Sequence, residues 1–328
     1  MNRYFLLLGL MVFMFVSNTA CKKSSDTKQN NVTSLNTLFP DLQSSPQTFS
    51  VNAGRNSTFR ANGGTVLNFY PNSFKDASEN IITTGNVSIQ LTEVYTPLDD
   101  MIQNRTITMT NGVMLQSAGE VNIVATQNGQ EVLANKYGIS FKQSTASSQP
   151  TCLYYYSASD TGSGITWNIS DTTKSGTVVN GTTTITNTTL GYEIVYTFDS
   201  CTNFNWINCK KIHYSDSNKM LTVTLPDSSY KAANTSIFIV FPDLNAVITN
   251  MGRQWVTSTI SPLIINLTSD GKPDIIPDGV NYKVLVMSNK NGSFYYYEST
   301  GIVSGNLNVS PLFEPRTESG LITLLSNL

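Results

Sequence analysis

His213 is the one histidine among 328 residues, so any nucleophile activated by an imidazole base has to be built around it. It stands beside Tyr214 in a strand-like context, which points to a structural role. Gly162-Ser163-Gly164 lacks the G-x-S-x-G spacing of a nucleophile elbow, and neither a Walker A loop nor a dinucleotide fingerprint is present. Glycoside hydrolysis asks for less, since two carboxylates at a defined separation suffice. Asp99, Asp100, Glu93 and Glu120 are the candidates in the first half, and Asp270, Asp274 and Asp278 in the second. Asp99-Asp100 follow Tyr95-Thr96-Pro97-Leu98 and read as loop residues, because Asp is favoured in turns. Glu93 alternates with Val87, Ile89 and Leu91. Its carboxylate is therefore half-buried and needs a partner, either Arg105 or a backbone amide. Asp270, Asp274 and Asp278 recur at every fourth position between Ser269 and Gly279. An oxygen-rich run of this kind can bind calcium, although its spacing misses the EF-hand pattern and Asp-Gly with Pro273 and Pro277 equally describes turns.

Aromatic and sulfur side chains complete the inventory. Tyr154-Tyr155-Tyr156 and Tyr295-Tyr296-Tyr297, with Trp167, offer rings that could stack on sugars, with Tyr155, Tyr296 and Trp167 as the candidate ligand-binding residues. In a strand, however, consecutive residues point to opposite faces, so each triplet sends at least one ring inward. Of the cysteines beyond Cys21, Cys201 and Cys209 are the closest in sequence and the expected disulfide pair, leaving Cys152 over; spacing alone leaves the pairing open. Without C-x2-C spacing and with a single histidine, a zinc site is not expected.

The elements that would carry these residues follow from composition. Charged residues make up 13% of the chain and hydrophobic ones 40%; the charged share is about half of the usual ~25%. Asn, Ser, Thr and Gly fill the difference and favour turns and exposed β faces. The net charge of −2 lacks the basic clustering of a nucleic-acid binder. No run after residue 20 has the ~18 apolar residues of a membrane-spanning helix.

The N-terminus is different. Arg3 precedes an apolar run from Tyr4 to Val16, the length of a secretory-signal core and shorter than a membrane span. Asn18-Thr19-Ala20-Cys21 resembles a bacterial lipobox, with Asn18 where the pattern has an aliphatic residue, as in the looser lipoboxes of Bacteroidota. The resemblance implies that the Cys21 thiol is diacylated and becomes the mature N-terminus; the alternative is a plain cleavable signal. One acyl chain binds a membrane only marginally, whereas two or more anchor a protein stably. Lys22-Lys23 are unlike the Asp-type inner-membrane retention signal, so the resemblance implies an outer-membrane lipoprotein facing the periplasm or the cell surface. Lys22 to Gln47 is polar and aperiodic and reads as a flexible tether spanning on the order of 25–30 Å.

From Phe49 onward, short alternating runs punctuated by Gly, Asn, Asp and Pro predict an all-β fold of two antiparallel β-sandwich-like domains. Strands are expected at 65–69, 86–94, 121–125, 137–141, 165–169, 192–198, 220–225, 236–241 and 282–287. Asn291-Gly292 between alternating runs is the strongest hairpin signal. Leu321, Leu324, Leu325 and Leu328 predict one short C-terminal helix with Thr317 as its cap. The expected organisation is a signal peptide (1–20), lipidated cysteine and tether (21–46), N-terminal sandwich (47–145), Ser/Thr-rich hairpin connector (146–204, with a strand at 178–185 and a turn at Asn180-Gly181) and C-terminal sandwich with its helix (205–328).

Gly63-Gly64-Thr65-Val66, Tyr70-Pro71-Asn72-Ser73-Phe74, Gly85-Asn86-Val87-Ser88-Ile89 and Gly119-Glu120-Val121 together resemble a β module recurrent in Bacteroidota lipoproteins. They are distantly similar to the spectrin-binding sandwich module of ankyrins. Asn205-Trp206-Ile207-Asn208-Cys209 resembles a "GWINCD" stretch of the same lipoproteins, with Lys210 in place of the acid. The resemblance implies a location and a fold and names no activity. Taken together, the sequence implies a non-enzymatic binding or structural lipoprotein without a cofactor. Its partners are the membrane, through the lipidated N-terminus, and another surface protein or a glycan, not nucleic acid. A glycan-binding accessory lipoprotein is the alternative, and a carboxylate-dependent hydrolase ranks below both.

Overall fold

A computed structural model describes residues 42, 45–102, 115–142, 153–160, 165–169, 182–188, 191–212, 219, 221–231, 234–249, 264–266, 268–269, 272–273 and 276–328. The chain divides into Met1–Val32, which lies outside these residues, and the unit Thr33–Leu328. Strands β1 (Gln47–Asn52), β2 (Ser57–Arg60), β3 (Val66–Phe69), β4 (Phe74–Lys75), β5 (Ile81–Ile82) and β6 (Asn86–Val94) lead into a short helix, α1 (Pro97–Ile102). They are followed by β7 (Leu115–Gln127), β8 (Gln130–Glu131), β9 (Leu133–Ala134), β10 (Tyr137–Lys142), β11 (Leu153–Asp160), β12 (Ile165–Ile169), β13 (Thr182–Thr188), β14 (Gly191–Cys201) and β15 (Asn205–Ile212). The second half has β16 (Leu221–Thr224), β17 (Thr235–Phe241), β18 (Ala246–Thr249), β19 (Ile264–Asn266), β20 (Thr268–Ser269) and β21 (Lys272–Pro273). It ends with β22 (Asn281–Lys290), β23 (Ser293–Ile302), β24 (Leu307–Val309), β25 (Glu314–Arg316) and helix α2 (Glu318–Leu325).

The all-β expectation holds, and most strands form where alternation placed them. In β6, Val87, Ile89 and Leu91 are buried while Asn86 and Gln90 are exposed, the period-two signature of a half-buried strand. A front sheet runs β1-β6-β7-β15-β11-β12 and a back sheet β13-β14-β10-β3-β2. Ile89, Leu91, Val121, Ile123 and Ile207 of the front sheet share one core with Phe69, Tyr137, Ile139, Phe141 and Phe198 of the back sheet. This is a sandwich, and each such side chain contributes roughly 1.5–3 kcal/mol of burial.

The second half builds its core from Leu221, Val223, Leu307 and Val309 of β16 and β24 against Ile237, Ile239, Phe241, Ile248, Val284 and Val286 of β17, β18 and β22. β16 pairs with β24 in parallel, a departure from the antiparallel expectation. Asn291 (φ 53°) and Gly292 (φ 81°) turn β22 into β23, the left-handed pair that a two-residue hairpin turn requires. Helix α2 begins as its sequence implied, with Thr317 Oγ1 accepting from the Gly320 amide at 3.1 Å. It buries Leu321 and Leu325 and lies against β23.

Three expectations are corrected. Residues 146–204 are not a separate hairpin: β11 and β12 extend the front sheet through β15, and β13 and β14 extend the back sheet through β10. These additions cover the open hydrogen-bonding edges that β15 and β10 would otherwise present. Residues 205–212, expected to open the second domain, pair instead with β7 in the front sheet. The hairpin joining β13 to β14 runs from Thr188 opposite Gly191, so the strand lies C-terminal to the expected 178–185, and Asn180-Gly181 falls outside the described residues. Among those residues no helix is long and apolar enough to cross a membrane.

Candidate functional site

Glu93 finds the backbone-amide partner its position demanded. Its Oε2 accepts from Gly63 N at 2.6 Å and Gln47 Nε2 at 2.8 Å, and its Oε1 from Thr65 N at 2.9 Å. The carboxylate thus closes the Asn62–Thr65 turn between β2 and β3. A Cβ on Gly63 would lie 2.9 Å from the carboxylate carbon, so the turn needs glycine where the acid approaches. Asp99, expected in a loop, stands in α1. Its Oδ2 accepts from Thr96 N at 3.0 Å, and Thr96 Oγ1 accepts from Asp99 N at 3.2 Å. This reciprocal pair is a capping box with Pro97 as the first helical residue. Asp278 occupies an exposed turn with Gly279 at φ 74°.

Tyr95 sits behind these turns. Its hydroxyl pairs with Thr65 Oγ1 at 2.8 Å and accepts from Lys142 N at 3.2 Å, and burial pushes the phenol well above its ordinary range. Gly119 (φ 147°) lies under the ring, where any Cβ would collide with it. Asn245 joins the two halves. It adopts the left-handed conformation (φ 47°, ψ 52°) after the short turn Pro242–Leu244. Its Nδ2 donates to the carbonyls of Tyr95 at 3.1 Å and Ser117 at 3.5 Å.

The densest polar group lies on the outer face of the front sheet. Val121, Ile123, Ile207 and Cys209 face the first core, so alternation turns Glu120, Asn122, Trp206 and Asn208 the other way. One rung runs Val94–Glu120–Asn208 across β6, β7 and β15, with Tyr155 of β11 opposite Asn208; the next runs Thr92–Asn122–Trp206. Val94, Leu115 and Trp206 pack into the second core, which closes this face. Glu120 and Asn208 have no exposed surface, and Asp100 on α1, beside β18, is 2% exposed. Asn208 Nδ2 and Oδ1 and Asn122 Oδ1 are buried without a hydrogen-bond partner. The group is oxygen-rich, but it is sealed: a polysaccharide cannot reach Glu120.

The aromatic candidates separate. Tyr296 is 5% exposed, on the face of β23 shared with Phe294, and its hydroxyl donates to Glu298 Oε2 at 2.6 Å. Burial and that bond raise its pKa, and the ring has no surface on which a sugar could stack. This corrects its candidacy. Tyr155 and Trp167 lie in paired strands β11 and β12, but their side chains are outside the described residues. An aromatic cluster that sequence reasoning missed surrounds Tyr230. Its ring stacks on Phe313 (centroids 4.4 Å, interplanar 12°), and Lys290 Nζ lies 3.7 Å from its centroid. Tyr230 is 6% exposed, so the cation–π contact pins the β22–β23 hairpin tip to the loop before β17.

Cys201 and Cys209 do not form the expected disulfide with each other. They occupy strands of opposite sheets and fill the first core as small apolar side chains. Cys21, Cys152, His213, Asp270 and Asp274 lie outside the described residues. Among those that are described, no cluster of three or more His, Cys, Asp or Glu residues is placed to hold a metal ion. Compared with known proteins, the chain matches no family model and no curated protein.

Proposed function

We propose that the chain is a lipid-anchored outer-membrane protein whose β-sandwich acts as a non-catalytic binding or structural surface module. The observation that carries this reading is the order of the N-terminal segments: an apolar run from Tyr4 to Val16, then Asn18-Thr19-Ala20-Cys21, then a polar tether ending where β1 begins at Gln47. Use of the carboxylates supports the non-catalytic part. Glu93 holds a turn, Asp99 caps a helix and Glu120 is sealed between the two halves. Each is committed to the fold or closed to a substrate, whereas a glycosidase keeps two carboxyl groups open to a cleft. The glycan-binding alternative loses Tyr296 to burial and rests on Tyr155 and Trp167. The test is Cys21→Ser expressed in a bacterium with lipoprotein processing. The wild-type chain is expected in the membrane fraction, labelled by palmitate, and the variant in the soluble fraction without label. A variant that stays in the membrane, or a wild type without label, overturns the anchor.

A further inference from the structure

We propose that the buried rung at Asn208 is a hydration site, in which an ordered water bridges Asn208 and Asn122 in the seam between the front sheet and the second half. Asn208 has no exposed surface, and both its amide nitrogen and its amide oxygen lack a hydrogen-bond partner. Buried amides are very rarely left in that state, because each orphaned atom forfeits its hydration without return. Exchanging the nitrogen and oxygen by rotating the amide does not help, since neither position has a protein partner. The occupant must therefore both accept from Nδ2 and donate to Oδ1. A bare cation satisfies only the oxygen and repels the amide N–H. An apolar group satisfies neither.

Water does both and still has a donor free for Asn122 Oδ1, which is also unpartnered and lies one rung away on the same face. Such bridging of buried polar groups is the usual role of interior water. Sheet register keeps these polar groups together: Asn208 stands directly opposite Glu120, and Asn122 opposite Trp206. Asn122 is thus the diagonal neighbour of Asn208, ~7–8 Å away across adjacent strands, a gap that the two amide side chains and one bridging molecule span. Trp206, Val94 and Leu115, which belong to the second core, make the adjoining wall apolar.

The test is a high-resolution crystal structure of the full chain, paired with thermal melts in calcium and in chelator. The expected result is density for one molecule at about 2.7–3.2 Å from Asn208 Nδ2 or Oδ1, with melts indifferent to calcium. Asn208→Leu, solved in the same way, is expected to lose that density. Three results overturn the proposal: Asn208 bonded directly to protein with no intervening density, oxygen–ion distances of ~2.3–2.6 Å with a calcium-raised melting point, or a molecule that persists unchanged in Asn208→Leu. The wild-type structure decides the matter even if the variant fails to fold.

Discussion

Replacing Glu93 by glutamine keeps shape and volume and changes only what the two terminal atoms can do. The carboxylate accepts three hydrogen bonds, from Gly63 N, Gln47 Nε2 and Thr65 N. A glutamine has one acceptor oxygen. Set at the Oε2 position, it keeps the Gly63 and Gln47 donors but turns its own N–H2 towards Thr65 N. The unpartnered Thr65 amide then costs about 1–3 kcal/mol, and the two retained bonds each weaken by about 1 kcal/mol on losing the charge. The total is about 3–5 kcal/mol, a large share of the ~5–15 kcal/mol by which a domain is stable. Gly63→Ala attacks the same contact from the other side, because its Cβ would stand 2.9 Å from the carboxylate; it should cost about 1–3 kcal/mol. In an Glu93→Ala background that clash is gone, so the second substitution should be nearly neutral. Urea denaturation of the two single variants and the double variant gives the coupling directly. Additive effects, or Glu93→Gln within about 0.5 kcal/mol of wild type, would refute the turn clamp.

Asn245→Ala removes the two bonds to Tyr95 O and Ser117 O and places alanine in the left-handed region, for a loss of about 2–4 kcal/mol by denaturation. Asn245→Gly relieves the backbone and should recover only about 1 kcal/mol of it; full recovery would mean the side-chain bonds contribute nothing. Tyr95 and Tyr296 both have pKa values raised by burial. Their stabilising contribution is intact below the unfolded-state value of about 10 and is lost as pH rises through the raised folded-state value. Each should add a fall of about 1.4 kcal/mol per pH unit above pH ~10, and Tyr95→Phe should remove one such increment from the alkaline denaturation curve; an unchanged slope counts against a buried neutral phenol.

The strands were legible because β6 and its neighbours bury one face and alternate cleanly, and the Asn291-Gly292 turn was legible because so few residue pairs tolerate its backbone. Helix α1 was also within reach: Thr96-Pro97-Leu98-Asp99 carries a capping box, with Asp in place of the commoner Glu, which the preference of Asp for turns obscured. The partition into domains was not legible. Whether β15 pairs with β7 or opens a second sheet depends on contacts about 90 residues apart, and local alternation is the same for both. Asn208 was hidden for a related reason. Between Ile207 and Cys209 it reads as a solvent-facing position, and only the packing of Val94, Leu115 and Trp206 into the second core shows that both faces of the sheet are covered. Tyr296 misled in the same way, since the face it shares with Phe294 is buried.

In the proposed function, lipid on Cys21 holds the sandwich at a membrane. The most direct measurement is mass spectrometry of the N-terminal peptide of the chain purified from the membranes of a bacterium that processes lipoproteins. The expected result is a peptide that begins at Cys21 and carries acyl chains on its thiol and amino groups. A mature N-terminus elsewhere, or an unmodified Cys21 thiol, would contradict it.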